Sequence, residues 1–218
     1  MNARSHLIEL NVEQRQVDEA ILSLFHTLLL HRSTGKFHYK KDDTYAIGSL
    51  GIADKQCDFI DFTYVKCNSD GLDSYIKNDI YSFSQAIRSP NTPSTGQITL
   101  EFYQKKRARW PFASECTPWE VWNLRINSVA VNNENARQEW REKVGEKLGE
   151  HLLQITDLIN KSDYTPAPPN LEELDLVYDT RFSDVQPFLF KIYSEAPSLN
   201  PSMSNAVKKI LKDTLSLT

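Results

Sequence analysis

The chain has 218 residues, 40% of them hydrophobic and 25% charged, with a formal net charge of −4. At this size folding buries roughly 70% of the area an extended chain exposes, so the core needs no disulfide or metal staple. The charge balance gives no overall bias toward nucleic acid.

Cys57, Cys67 and Cys116 make an odd count with no CxxC pair. That pattern points to reduced thiols in a cytosolic or nuclear setting rather than a disulfide framework. Met1 to Leu10 carries polar residues where a secretory leader has an apolar run. The longest apolar cluster, Leu22 to Leu30, is interrupted by Ser23, His26 and Thr27, far short of the ~20 residues that span a bilayer. A soluble protein is expected.

Residues 7 to 12 alternate as a short strand. Val17, Ile21, Leu24 and Leu28 then recur at helical spacing, widened by Ala20, Phe25 and Leu29, which predicts a helix packed on more than one side, with Gly35 as its stop. Two strand signals follow, Thr44 to Leu50 and Phe59 to Cys67. In the second, Ile60, Phe62 and Tyr64 face one way and Asp61 and Thr63 the other. Leu72, Ile76, Ile80, Phe83 and Ile87 predict a second amphipathic helix, ending in a loop from Ser89 to Gly96.

Ile98, Leu100 and Phe102 alternate with polar neighbours, as do Trp122, Leu124 and Ile126. A loop around residues 105 to 118 joins them, favouring an antiparallel pair. Ala136, Trp140, Val144, Leu148, Leu152, Ile155 and Ile159 predict the longest helix, roughly seven turns. Its other face is charged and includes Glu139, Arg141, Lys143 and Lys147. After Thr165 to Pro169, Phe188, Phe190 and Ile192 read as a last strand and Met203 to Leu217 as a basic C-terminal helix. Strands gathered around one long helix, with no βαβ alternation and no internal repeat, give an α+β fold in a single domain over residues 1–218.

Catalytic and ligand motifs fail on their chemistry. Ser33-Thr34-Gly35-Lys36 lacks the first glycine and the final Ser/Thr of a phosphate-cradling loop. His6, His26, His31, His38 and His151 form no HExxH and join no cysteine at zinc spacing, so no metal or other cofactor is expected. Asp58 and Asp61 sit three apart on a strand pattern and face opposite sides, unsuited to acid–base work. There is no GxSxG elbow.

Lys105, Lys106, Arg107 and Arg109 lie near Tyr103 and Trp110, a combination that can bind single strands, but a charged strand end that blocks edge pairing accounts for it better. Lys208, Lys209 and Lys212, beside Met203, Val207, Ile210 and Leu211, offer an alternative function as a membrane-surface module.

The most informative stretch is Arg109-Trp110-Pro111-Phe112. Pro111 has no N–H and cannot sit inside a ladder, so two large aromatics bracket a break in the β pattern. They either project or fold back over the sheet end. Burying two such side chains yields roughly 3–6 kcal/mol gross, against an association cost of about 4–15 kcal/mol. An exposed pair therefore works as a hot spot within a larger assembly.

Six blocks resemble the autophagy-related protein 101 family: Leu28 to Lys41 (LLLHRSTGKFHYKK), Cys57 to Val65 (CDFIDFTYV), Leu100 to Phe112 (LEFYQKKRARWPF), Pro118 to Trp122 (PWEVW), Arg141 to Leu148 (REKVGEKL) and Asp184 to Ile192 (DVQPFLFKI). The resemblance implies a HORMA domain, a mainly antiparallel sheet packed against a long central helix and flanking helices. It implies a non-catalytic adaptor of the Unc-51-like kinase complex, paired with the HORMA domain of autophagy-related protein 13, cytoplasmic and recruited to phagophore assembly sites. It also implies that Trp110, Pro111 and Phe112 form an exposed finger that recruits downstream autophagy factors. By analogy with HORMA dimers, the helix from Ala136 to Ile159 is where a partner domain would dock.

Overall fold

Alternation decides which side of a strand turns inward, and β1 (Arg4–Glu13) shows it: Ile8, Leu10 and Val12 are buried while Leu7, Glu9 and Asn11 are exposed. The structure is a computed structural model that describes residues 3–40, 44–88, 94–107, 115–131, 133–161 and 164–195. The Met203 to Leu217 helix, with Lys208, Lys209 and Lys212, falls outside the described residues.

A 3-10 turn, Gln14–Gln16, leads into α1 (Val17–His31). Short strands β2 (Ser33–Thr34), β3 (Phe37–Tyr39), β4 (Tyr45–Ile47), β5 (Ile52–Gln56) and β6 (Thr63–Cys67) follow, then α2 (Asp70–Ile87). The long strands β7 (Thr95–Lys105) and β8 (Cys116–Val129) precede α3 (Glu134–Asn160). A 3-10 turn at Leu171–Glu173, α4 (Leu174–Val177), β9 (Gln186–Pro187) and β10 (Phe190–Glu195) complete the order.

The main sheet runs β1-β8-β7-β10. β7 is antiparallel to both its neighbours, and β1 lies parallel to β8. Its inner face carries Leu10 beside Ile126, Ile8 beside Leu124 and Ile98, and Trp122 beside Leu100. Helices α1, α2 and α3 pack with it into one core. Side-chain caps start two of them: Ser69 accepts the Leu72 N–H of α2, and Asn133 the Ala136 N–H of α3. α2 closes down on Gly96, where a Cβ would meet Ile87 Cγ2 at 2.7 Å.

The α+β class, the antiparallel β7–β8 pair and the three long helices agree with the sequence. Several bounds do not. α1 ends at His31, where the Arg32 N–H bonds Leu28 O and Leu29 O; Gly35 lies beyond, against the Gly48 backbone. The strand expected from Phe59 begins only at Thr63, because the side chains of Gln16, Glu19 and Arg141 take up the backbone groups of Asp58 and Phe59 that a ladder would use. The strand expected over Thr44 to Leu50 shortens to Tyr45–Ile47. Thr95 and Gly96, placed in a loop, already pair with β8, and residues 89–93 lie outside the described residues. The last strand starts at Phe190, while Phe188 forms an isolated bridge with Tyr178.

Candidate interaction site

The candidate Trp110-Pro111-Phe112 lies outside the described residues, as does Arg109. What the structure describes is the hairpin that carries them. β7 and β8 stay paired to Lys105↔Cys116, so the connection is shorter than the sequence suggested. One step further, the Lys106 N–H bonds Glu115 O at 2.9 Å, and Lys106 Nζ stands 3.4 Å from the Glu115 carboxylate. Arg107 reaches Glu172 at 3.4 Å and Glu173 at 3.6 Å. The basic cluster of the sequence is thus neutralised in part by local carboxylates, which argues against a phosphate-binding face.

The stem is anchored in the core. The register shift between Phe102 and Tyr103 is a bulge, a device that adds local twist. Next to it, Phe102 packs on Trp119 with centroids 5.7 Å apart, and Trp119 meets Phe188 edge-on at 5.3 Å. Glu120 points inward from β8. Arg32, at the end of α1, grips its two oxygens at 3.1 and 2.6 Å, and Trp122 Nε1 donates to it at 2.8 Å. The hairpin stem is thereby fastened to the end of α1.

Buried ionisable groups elsewhere are bound up in similar structural contacts. Asp73, at the start of α2, accepts from His26 at 3.1 Å, Lys66 at 2.8 Å and Lys77 at 2.5 Å. The His26 bond leads in holding its carboxyl well below the usual carboxylate range. Burial lowers His26 itself and pushes the Cys57 thiol up to about 12. Lys36 of the apparent phosphate loop donates to Phe182 O at 2.7 Å, and Ser33 and Thr34 pair with β9. Asp61 pairs with Arg141 at 2.9 Å, on a turn rather than a strand. Among the described residues, no group of three or more His, Cys, Asp and Glu is placed to hold a metal, and no helix is long and apolar enough to cross a membrane.

One exposed aromatic was not singled out from the sequence. Phe59 stands on the turn between β5 and β6, with the Arg15 guanidinium 5.5 Å above its ring. The signal was present, since the alternation put Phe59 on the polar side with Asp61.

Comparisons with known proteins converge. A family model described as autophagy-related protein 101 matches residues 9–172. Among curated proteins, autophagy-related protein 101 of Xenopus tropicalis is 50% identical over 218 residues, covering all of both chains. The Homo sapiens protein of that name is 49% identical over the same span. The Arabidopsis thaliana one is 26% identical over 182 residues, 73% of this chain and 78% of the relative.

Proposed function

Because the chain belongs to the autophagy-related protein 101 family and so has a role in autophagy, we propose that it acts there as a non-catalytic adaptor. It pairs with the HORMA domain of autophagy-related protein 13 within the Unc-51-like kinase complex. Through Trp110, Pro111 and Phe112 it recruits downstream autophagy factors to phagophore assembly sites from the cytoplasm. Residues 1–218 act as one HORMA domain in this reading.

The observation that carries it is the β7–β8 hairpin. Its ends close at Lys106 and Glu115 and its stem is fastened to α1 through Arg32 and Glu120. A stem fastened to the core suits a short aromatic motif used as a hot spot, because it fixes where the motif leaves the domain. The buried titratable side chains described above hold the fold together, which fits a binding role better than a catalytic one.

The test is the double substitution Trp110→Ala with Phe112→Ala in cells lacking the native protein. The expected result is an intact heterodimer with lost recruitment of downstream factors and lost autophagosome formation. Loss of the heterodimer in that variant overturns the division of labour.

A further inference from the structure

Phe59 is a large aromatic side chain that remains 42% exposed on a turn gripped from two sides. From α1, Glu19 accepts the N–H of Asp58 at 2.6 Å and of Phe59 at 2.9 Å. Gln16, just before α1, donates to Phe59 O at 2.9 Å. From α3, Arg141 donates to Asp58 O at 2.7 Å and pairs with Asp61. Beneath the turn Ile60 is fully buried, and Gly145 of α3 lets the Asp61 carbonyl approach to where a Cβ would stand only 2.6 Å away. A side chain displayed on so fixed a support has little backbone freedom to lose when it is covered, and a rigid aromatic is the usual centre of a binding hot spot.

The surroundings specify what covers it. A depression of about 530 Å³ on one side of the ring is lined by Arg15, Asp18, Glu19 and Arg88. A smaller one of about 150 Å³ reaches Arg137 and Arg141. Asp18 is engaged with Arg88, and the other acceptors facing the larger depression are turned inward. Both Glu19 oxygens hold backbone N–H groups, and Glu13, 3.2 Å from Arg15, has a side chain 10% exposed against 47% for Arg15. The exposed carboxylates Asp58 and Glu134 line the smaller depression only. Toward the larger depression Arg88 is already paired with Asp18, so the surface offers the ring and the outer N–H groups of Arg15, whose Nε alone meets Glu13.

We infer that Phe59, with Arg15 beside it and the Asp18–Arg88 pair at its edge, is the docking surface for a folded protein partner that lays an apolar side chain on the ring and a carboxylate against Arg15. The inference rests on the adaptor reading above and names the face by which the adaptor takes its partner domain.

The test is titration calorimetry of the full chain with the HORMA domain of autophagy-related protein 13. Phe59→Ala weakens binding at least about 30-fold, as a hot-spot truncation does, and Arg15→Glu weakens it in the same direction. Leu171→Asp, at an exposed position on the 3-10 turn outside α1, α3 and the Phe59 turn, leaves the affinity within about threefold. Should Phe59→Ala lose its folded circular-dichroism signature, Arg15→Glu decides. Binding by Phe59→Ala within about threefold of the unaltered chain overturns this surface while leaving the adaptor reading in place. Failure of the unaltered chain to bind overturns both. Self-association of the chain that Phe59→Ala abolishes overturns the assignment to a different protein.

Discussion

Arg32 and Glu120 lie 88 residues apart in the chain and meet as a sealed, two-pronged ion pair, Nε to Oε1 at 3.1 Å and Nη2 to Oε2 at 2.6 Å. Their side chains are 5% and 2% exposed. Around them, Trp122 Nε1 donates to Glu120, the Arg32 guanidinium lies 5.4 Å over Trp119, and the Phe188 N–H bonds Arg32 O at 2.9 Å. One pair thus fastens the end of α1 to the hairpin stem and to the chain entering β10.

Removing one partner leaves the other charged and buried. Glu120→Ala also strips Trp122 Nε1 of its acceptor. The expected cost is about 3–5 kcal/mol, a large share of the 5–15 kcal/mol typical of a domain, read as a lower urea midpoint. Arg32→Lys keeps the charge but not the fork, so it still destabilises, though less than Arg32→Ala. A cost under about 1 kcal/mol for Glu120→Ala contradicts the sealed pair.

Gly145 and Gly149 stand one turn apart in α3, and the same substitution has opposite effects at the two. At Gly149 the nearest atom to an added Cβ is Phe62 Cε2 at 3.9 Å, so Gly149→Ala gains helix propensity of about 0.5–1 kcal/mol. At Gly145 a Cβ meets the Asp61 carbonyl oxygen at 2.6 Å. That neighbour is backbone, already bonded to Arg141 O through the Asp61 N–H, so Gly145→Ala forces the Phe59 turn off α3. A net destabilisation of about 1–2 kcal/mol is expected, as overpacking outweighs propensity. Thermal unfolding of the two variants checks the sign.

The pair of glycines also shows what the sequence could and could not reveal. Helical spacing from Ala136 to Ile159 announced α3 and both glycines within it, because a long amphipathic stripe survives local noise. Nothing in that stripe says that Gly145 touches Asp61, since the contact joins segments 84 positions apart. Alternation in β1 and β8 likewise told which side faces inward, but alternation is blind to the neighbour, and the parallel β1–β8 pairing became visible only in the fold. β5 reads Ile-Ala-Asp-Lys-Gln and is mostly exposed, so it had no pattern to find. Phe59 to Phe62 kept a strand's alternation yet form a turn, since Gln16, Glu19 and Arg141 satisfy backbone groups of Asp58 and Phe59. Of the candidate site, the stem was legible as two alternating runs. The aromatic motif itself rests on the sequence and on the family.

The three thiols separate by burial. Cys57 and Cys67 are buried, and burial is the leading cause that raises both; Cys116 is exposed at the start of β8. A disulfide reagent at neutral pH therefore modifies one thiol quickly in the native state and the other two only on unfolding, because thiolate fraction and access both govern the rate. Mass mapping should place the fast label on Cys116. Rapid labelling of Cys57 in the folded chain contradicts its position under the Phe59 turn.

Acid sensitivity follows from His26. The ring is buried in α1, stacked on Tyr64 with centroids 5.7 Å apart, and bonded through Nε2 to Asp73, with Lys66 and Lys77 on the same carboxylate. Burial lowers its pKa below the ordinary 6.5, outweighing the opposing pull of Asp73. The unfolded chain therefore binds a proton near pH 6.5 that the folded chain refuses. Stability is whole above that pH and falls as pH drops through 6.5 toward the folded value, by at most about 1.4 kcal/mol per pH unit for one proton. His6, His31 and His151 are lowered by burial in the same direction, and the depressed Asp73 adds its own loss only at far lower pH, below its ordinary 3.8. Urea midpoints at pH 7.5, 6.5 and 5.5 should fall for the unaltered chain. In His26→Gln the decline between 6.5 and 5.5 should be shallower, since one of the refused protons is gone. An identical slope in that variant means that His26 takes up its proton without unfolding, and that its bond to Asp73 persists in the charged form.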